Sequence, residues 1–356
     1  MTAKSSSRAC CSGMGDAFCA AVGDGSRPAF RAGFCGPRRG LSLGPVLAVL
    51  LALGSLPRAA AAQSVMELSR PCTAQGALEA LCVEAAVVAQ ALQGGAALLT
   101  GPGTEVAGSA STLGRRLGRT PRLAVSGRAG FAPLGVPDLT ASGTNPARKA
   151  TFLVPSLRGE VTAGVFDGFS LIPTVGGILS LDLLAAAGVV FLPEAEGFNG
   201  PVTAFSFGAR LGILRESFTT PGISLSYTRR YLGEVTFGEA LSGSRSVARV
   251  DPVVNALRLT VGKDILSVGV MAGVGRDEYG GSARIDVRGF PAAGIEEFSS
   301  HRTLFFGGIS WNLLILQISA EGGWARGFPA VPGYQGAPYD PTSGRPFAGF
   351  AFRLTI

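Results

Sequence analysis

The residues of this chain that could do chemistry are arginines and a few carboxylates, which alternate with apolar residues in short segments. If each segment is a strand, alternation places these charges on one face. In a narrow space they must pair or stay hydrated, which would make a polar core, whereas an arginine excess around water would favour anions. The sequence leaves both possibilities open for the set Arg122, Arg128, Arg158, Glu160, Asp182, Arg210, Arg230, Arg258, Glu321 and Arg353.

The sequence lacks the usual catalytic patterns. Its single histidine, His301, lies beside Ser299 and Ser300 without an identifiable partner, so we expect a solvated side chain rather than a general base. No nucleophile elbow, phosphate-binding loop or zinc-protease motif occurs. We therefore assign no catalytic residue, no metal ligand and no cofactor.

The last ten residues show which element must position the charges. Ala348 and every second residue after it are apolar, whereas the residues between them are small or polar and include Arg353. In a strand, one face would then suit hydrocarbon and the other water. This pattern is typical of a strand that spans a membrane within a closed barrel.

The same alternation recurs in nine earlier segments. We predict an all-β fold, an antiparallel up-and-down transmembrane β-barrel of about ten strands, with eight or twelve still possible. Short and long connections alternate, as periplasmic turns and external loops do in such barrels. The predicted strands cover 120–131, 153–166, 177–190, 203–214, 221–232, 253–263, 265–276, 302–312, 314–326 and 347–356.

Composition agrees with a membrane barrel. Charged residues make up 15% of the chain, against ~25% in ordinary soluble domains, and glycine is abundant. Beyond residue 62 no apolar run approaches the roughly 18 to 20 residues of a spanning helix. The net charge of +7 comes mostly from residues 1–62, which hold seven of the 31 basic side chains and two of the 24 acidic ones. The remainder is nearly neutral, which excludes nucleic-acid binding.

Residues 1–62 have the order of an export signal. Arg38 and Arg39 precede the apolar stretch 41–56, and small residues follow at 59–62. We predict a secretory signal peptide, preceded by an N-terminal extension and cleaved after Ala62. The alternative is an uncleaved helical anchor.

Residues 63–118 are predicted to form a short periplasmic segment, a helix followed by a glycine-rich linker. The helix is expected over Thr73–Gln93 from its apolar periodicity. The alternative is a plug that folds into the barrel lumen. In one straight helix Cys72 and Cys82 would lie about 15 Å apart, too far for a disulfide, so a bridge requires a chain reversal near Gly76.

The terminal strand and the export signal resemble those of small bacterial outer-membrane β-barrels with OmpX-like or OmpW-like architecture, although the chain ends in Ile356 rather than phenylalanine. The resemblance implies a bacterial outer-membrane location and contact with its lipids. It also implies delivery by periplasmic chaperones and insertion by the barrel-assembly machinery. The residues of this assembly signal would be Phe350, Phe352, Leu354 and Ile356. It does not indicate an oligomeric state.

The expected function is a structural scaffold or a narrow pore with an arginine-rich lumen. One alternative is an outer-membrane enzyme of protease or lipid-modifying type, for which His301 is the sole candidate residue. The other is a surface binding or adhesion protein that uses its long external loops, with Tyr334 and Tyr339 exposed.

Overall fold

A computed structural model of the chain describes residues 65–101, 103–114, 121–137, 139, 149–169, 177–239, 244–332, 334 and 339–356. The predicted export signal and its extension lie outside these residues. Two helices, α1 (Val65–Ala74) and α2 (Glu79–Leu99), precede the strands. The strands are β1 (Arg122–Pro137), β2 (Lys149–Phe166), β3 (Ser180–Phe191), β4 (Pro201–Leu214), β5 (Gly222–Leu232), β6 (Val235–Phe237), β7 (Ser246–Val250), β8 (Val253–Ile265), β9 (Val268–Gly280), β10 (Ala283–Val287), β11 (Ala293–Ile295), β12 (Ser300–Leu313), β13 (Leu316–Ala325) and β14 (Arg345–Thr355).

Ten long strands form a closed antiparallel barrel in the order β1-β14-β13-β12-β9-β8-β5-β4-β3-β2. The C-terminal strand closes it, because β14 pairs with β13 on one side and with β1 on the other, where Arg353 lies opposite Ser126. Closure leaves no strand edge unpaired, which a hydrocarbon environment demands. The predicted ten-stranded barrel is therefore confirmed.

The connections define two different ends of the barrel. We call the end with the two-residue turns 266–267 and 314–315 the turn end, and the opposite end the long-loop end. The sequence analysis placed these turns at 263–264 and 312–313, so they lie three and two residues later along the chain. Moving the end of a strand does not change which of its residues alternate inward and outward, so the predicted faces are unchanged.

A second sheet stands at the long-loop end. Its order is β11-β10-β7-β6, and it is built from segments that the sequence analysis took for loops. Its inner positions, such as Ala248, Ile285 and Phe237, are buried against helices α1 and α2. Strands of three to five residues have too few alternating positions to be recognised in a glycine-rich sequence.

The outer wall of the barrel is apolar. Its side chains remain largely exposed in the isolated chain, whereas arginines, serines and threonines of the same strands are buried inside. This polarity is opposite to that of a soluble sandwich and suits a surrounding of hydrocarbon. Exposed members of the wall include Leu123, Val125, Leu157, Leu183, Phe205, Phe207, Leu259, Val270, Phe305, Ile309, Trp311, Trp324, Phe350 and Phe352.

The expected periplasmic segment is found inside the barrel instead. Helix α2 lies at the long-loop end, and residues 100–101 and 103–114 continue through the lumen to the turn end. Among the described residues, α2 is the one helix long and apolar enough to cross a membrane, yet most of it is buried within the protein. Its small side chains, mainly alanine and glycine, allow it to fit between the barrel wall and the second sheet.

Candidate functional site

We call residues 79–101 and 103–114 the lumen segment, because they run through the inside of the barrel. Helix α1 and the start of α2 are joined by the disulfide Cys72–Cys82, with 5.8 Å between the Cα atoms. The chain reverses at Gly76, which has a φ of +91° that other residues rarely adopt. The bridge therefore holds α1 against α2 at the long-loop end.

Helix α2 approaches the barrel wall closely at two adjacent glycines. A Cβ atom on Gly94 would lie 2.3 Å from the ring of Phe328, and one on Gly95 would lie 2.0 Å from a methyl group of Leu134. Any larger side chain would force the helix away from the wall. The same contact region contains Arg302, whose guanidinium carbon lies 3.7 Å from the centre of the Phe328 ring.

Gln93 joins helix α2 by hydrogen bonds to the chain between the end of β9 and the start of β12. Gln93 donates from Nε2 to the carbonyl oxygens of Phe298 (2.7 Å) and Gly280 (3.2 Å), and its Oε1 accepts from Ser300 (3.1 Å). Both N–H donors and the oxygen of the amide are thereby engaged. Buried amides of this kind fix the position of one element against another.

Glu105 is the charged residue in the part of the lumen segment that follows helix α2. Its carboxylate pairs with Arg230 of β5, and its second oxygen lies 3.8 Å from Arg158 of β2. Arg158 also lies 3.5 Å from Glu160 and donates to the carbonyl oxygen of Thr100 (2.8 Å). The arginines of the barrel wall are thus paired partly with a carboxylate of the wall and partly with Glu105 of the lumen segment.

Glu321 of β13 receives the next part of the segment. It accepts hydrogen bonds from the hydroxyl of Thr104 (2.6 Å), the Thr104 N–H (3.2 Å) and the Gly108 N–H (3.3 Å). Arg128 lies 3.7 Å from the same carboxylate and donates to the carbonyl oxygen of Thr104 (2.7 Å). One carboxylate therefore satisfies both backbone and side-chain donors in the lumen.

Asp182 of β3 holds the segment near the turn end. Both of its oxygens accept from the Leu113 N–H, at 3.0 and 3.1 Å. Arg210 of β4 donates to Asp182 (2.9 Å) and to the carbonyl oxygens of Ser109 (3.1 Å) and Ser111 (2.6 Å). Both terminal guanidinium nitrogens of Arg210 donate to carbonyl oxygens of the lumen segment. The excess arginines of the wall are therefore hydrogen-bonded to backbone carbonyl groups as well as paired with carboxylates.

Nine of the ten predicted lumen charges point inward as expected from alternation and are buried or nearly so, whereas Arg122 lies at the turn-end mouth and joins none of the ion pairs described. Arg258 pairs with Asp277 at 2.6 Å, and Arg353 donates to the amide oxygen of Gln317 at 3.2 Å. Four further charges are buried in the interior and were not predicted from the sequence: Glu105, Asp277, Arg302 and Arg345. Continuing the alternation of β9 beyond residue 276 would have found Asp277, but nothing in the local pattern places Glu105 in the lumen.

The two alternative sites lie elsewhere. His301 is exposed on the outer face of β12, opposite Glu278 of β9. Tyr339, which the sequence analysis expected to be exposed, is buried beneath the long loops with Arg345 5.5 Å from its ring centre. Burial raises the pKa of Tyr339, so its hydroxyl remains protonated at neutral pH. The described residues contain no cluster of three or more side chains that could hold a metal ion.

A closed ten-stranded barrel with an apolar outer wall and a charged interior defines a β-barrel of the small outer-membrane type. No family model matches this sequence, and no curated protein matches it either. Solved structures with this kind of fold include the outer-membrane protease OmpT from Escherichia coli (10% identity, 70% of this chain and 100% of that one, TM-score 0.35). Another is the translocator domain of the autotransporter NalP from Neisseria meningitidis (9% identity, 67% of this chain and 88% of that one, TM-score 0.39). A third is Neisserial surface protein A (9% identity, 66% of this chain and 96% of that one, TM-score 0.26). The likeness concerns the fold alone.

Proposed function

We propose that this chain is an outer-membrane barrel whose lumen is closed by its own N-terminal segment, and that it serves as a membrane-anchored scaffold. Its exposed surface at the long-loop end would be the helix α1, the disulfide and the four-stranded sheet. This proposal favours the scaffold over the narrow pore. It leaves the long-loop end as the surface available to partners outside the cell.

The observation that carries the proposal is the pairing of Glu105 with Arg230 in the lumen. A water-filled anion pore would keep its arginines hydrated and free to meet ions. Here the arginines Arg128, Arg158, Arg210 and Arg230 are bonded to the lumen segment or to the carboxylates beside it. Opening the lumen would break several of these bonds at once, and each broken buried pair is expected to be costly.

Conductance of the purified full-length chain in planar bilayers tests the proposal. We expect no steady conductance. A cross-linked variant, Ser111→Cys with Gly222→Cys, pins the segment at the turn end, since a Cβ on Gly222 would lie 3.3 Å from that of Ser111. The scaffold predicts closed barrels with and without the cross-link. Steady conductance that persists in the cross-linked protein, or that appears only when the cross-link is reduced, contradicts it.

We also infer that the terminal strand serves as the assembly signal for periplasmic chaperones and the barrel-assembly machinery. Phe350, Phe352, Leu354 and Ile356 project outward and are exposed, so a receptor could contact them before the barrel closes. Replacing Phe352 and Ile356 by serine should reduce the folded, heat-modifiable fraction in the membrane. The matched change of Leu123 and Val125 on the neighbouring strand β1 should reduce it less.

A further inference from the structure

Three arginines and one histidine project from the outer face of the barrel near the long-loop end. They are Arg229 on β5, Arg276 on β9, His301 on β12 and Arg326 just after β13. These are adjacent barrel strands, with β8 between β5 and β9. We call this set, together with Glu278 and Asn255, the outer basic patch.

The strand register places the patch residues side by side. Arg229 lies opposite Asn255, Asn255 opposite Glu278, and Glu278 opposite His301, so these four form one row across four strands. Adjacent strands are about 4.8 Å apart, so the row extends over roughly 15 Å. Arg276 lies opposite Thr303 in the next row, and the N–H of Arg326 donates to the carbonyl oxygen of Thr303.

The other half of the circumference is different. The outward positions of β1, β3, β4 and β14, and those of β2 from Thr151 to Val165, carry no charged side chain. At the level of Arg229, β4 presents Phe207. The basic residues are therefore confined to one side and do not form a general belt around the barrel.

The arginines of the patch have little internal compensation. Arg276 lies 3.2 Å from Glu278, but Arg229 and Arg326 have no carboxylate partner among the described residues. Arg229 lies 5.4 Å from the ring centre of Tyr231, and Arg326 lies 6.0 Å from that of Phe305. Such rings hold a guanidinium without neutralising it, and they are typical of the boundary between hydrocarbon and water.

The patch is continuous with the lipid-facing wall. Directly below it on the same strands are the exposed side chains Leu257, Val274 and Phe305. A lipid whose acyl chains cover these residues would place its headgroup at the level of the arginines. Guanidinium groups bind phosphate oxygens through paired N–H donors, and a phosphomonoester carries more charge than a diester.

We propose that the outer basic patch binds lipid headgroups through their phosphates, with preference for a phosphomonoester. The proposal rests on the membrane location in the proposed function. It assigns Arg229 and Arg326 as the main phosphate contacts of two separate sites, because neither is engaged by a carboxylate and the four strand spacings between β5 and β13, roughly 19 Å, are too wide for one phosphate. Asn255 beside Arg229 and His301 near Arg326 would supply additional hydrogen bonds to the headgroups.

Binding of phosphatidic acid and of phosphatidylcholine to the full-length chain in detergent micelles, measured by native mass spectrometry, tests this. We expect phosphatidic acid to bind more tightly. The variant Arg229→Gln with Arg326→Gln should weaken its binding roughly 10- to 100-fold. The control Arg249→Gln with Arg284→Gln removes two arginines from the four-stranded sheet and should leave the binding unchanged.

Several outcomes would overturn the assignment: phosphatidylcholine bound as tightly as phosphatidic acid, equal losses in the two double variants, or competition by inorganic phosphate at the same concentration as the lipid. If the intact chain binds neither lipid although its heat-modifiable mobility shows a folded barrel, the patch assignment fails and the membrane location stands. If the heat-modifiable mobility is itself absent, the membrane barrel of the proposed function fails. If it binds phosphatidic acid but the first variant does so equally well, only the patch assignment fails.

Discussion

Glu105 of the lumen segment meets Arg230 of β5 inside the barrel, and both side chains are almost completely shielded from water. The two residues are 125 positions apart in the sequence. Their pairing links the lumen segment to the barrel wall. The contact lies near the middle of the segment, between the disulfide at one end and the contact with Asp182 at the other. The segment is therefore an integral part of the barrel interior.

Replacing Glu105 by glutamine should lower the free energy of unfolding by about 3–5 kcal/mol, because Arg230 would stay buried without a carboxylate. Unfolding of the folded chain by guanidinium, followed by tryptophan fluorescence, measures the change. The control is Glu278→Gln, which removes an exposed pair with Arg276 and should change stability by about 1 kcal/mol or less. Equal effects of the two variants would contradict the interior role of Glu105.

Replacing Leu314 by asparagine should stabilise the barrel by roughly 1 kcal/mol, although it removes an apolar side chain. Leu314 has a φ of +53°, a conformation that asparagine adopts more readily, and its side chain is fully exposed at the turn end. The neighbouring Ile315, also exposed but without a positive φ, provides the control Ile315→Asn, for which no gain is expected. The same unfolding measurement in detergent decides between them. A loss of stability in Leu314→Asn would mean that the leucine makes contacts that outweigh the backbone strain.

Reduction of the Cys72–Cys82 bridge should make the long-loop end more susceptible to protease while the barrel stays folded. A bridge that closes a loop of this length lowers the entropy of the unfolded chain, which raises the free energy of unfolding by about 2–3 kcal/mol. We expect cleavage between α1 and α2 to accelerate in the double variant Cys72→Ser with Cys82→Ser. Gel mobility before and after heating reports the barrel, and unchanged cleavage rates would show that packing alone holds α1.

An epitope tag placed between Ala62 and Val65 should be accessible to antibody on intact cells. Helix α1 lies against β10 and β11 at the long-loop end, which the proposed function places outside. The same tag in the turn at Phe218, at the opposite end, should be detected only after the membrane is permeabilised. Reversed accessibility of the two tags would show that the barrel is inserted the other way.

Much of the barrel could be predicted from the sequence because its information is local. Alternation in segments such as 347–356 distinguishes inward from outward side chains even when strand ends are misplaced. That is why the interior positions of Arg128, Arg210 and Arg258 were predicted, although the two short turns were placed two or three residues too early. The second sheet was missed because its strands are too short to alternate visibly.

By itself, the sequence determined the barrel class, the inward and outward faces and the chain reversal that a bridge between Cys72 and Cys82 requires, since each depends on spacing along the chain. The closed sheet then fixed the strand number at ten, where the sequence had left eight or twelve possible. Only the tertiary structure decided that the lumen segment fills the barrel and that Glu105 pairs with Arg158 and Arg230. Helical periodicity shows that a segment has an apolar face, but the surface that covers this face is formed by strands distant in sequence. The same holds for the outer basic patch, whose residues become neighbours only when β5, β8, β9 and β12 align.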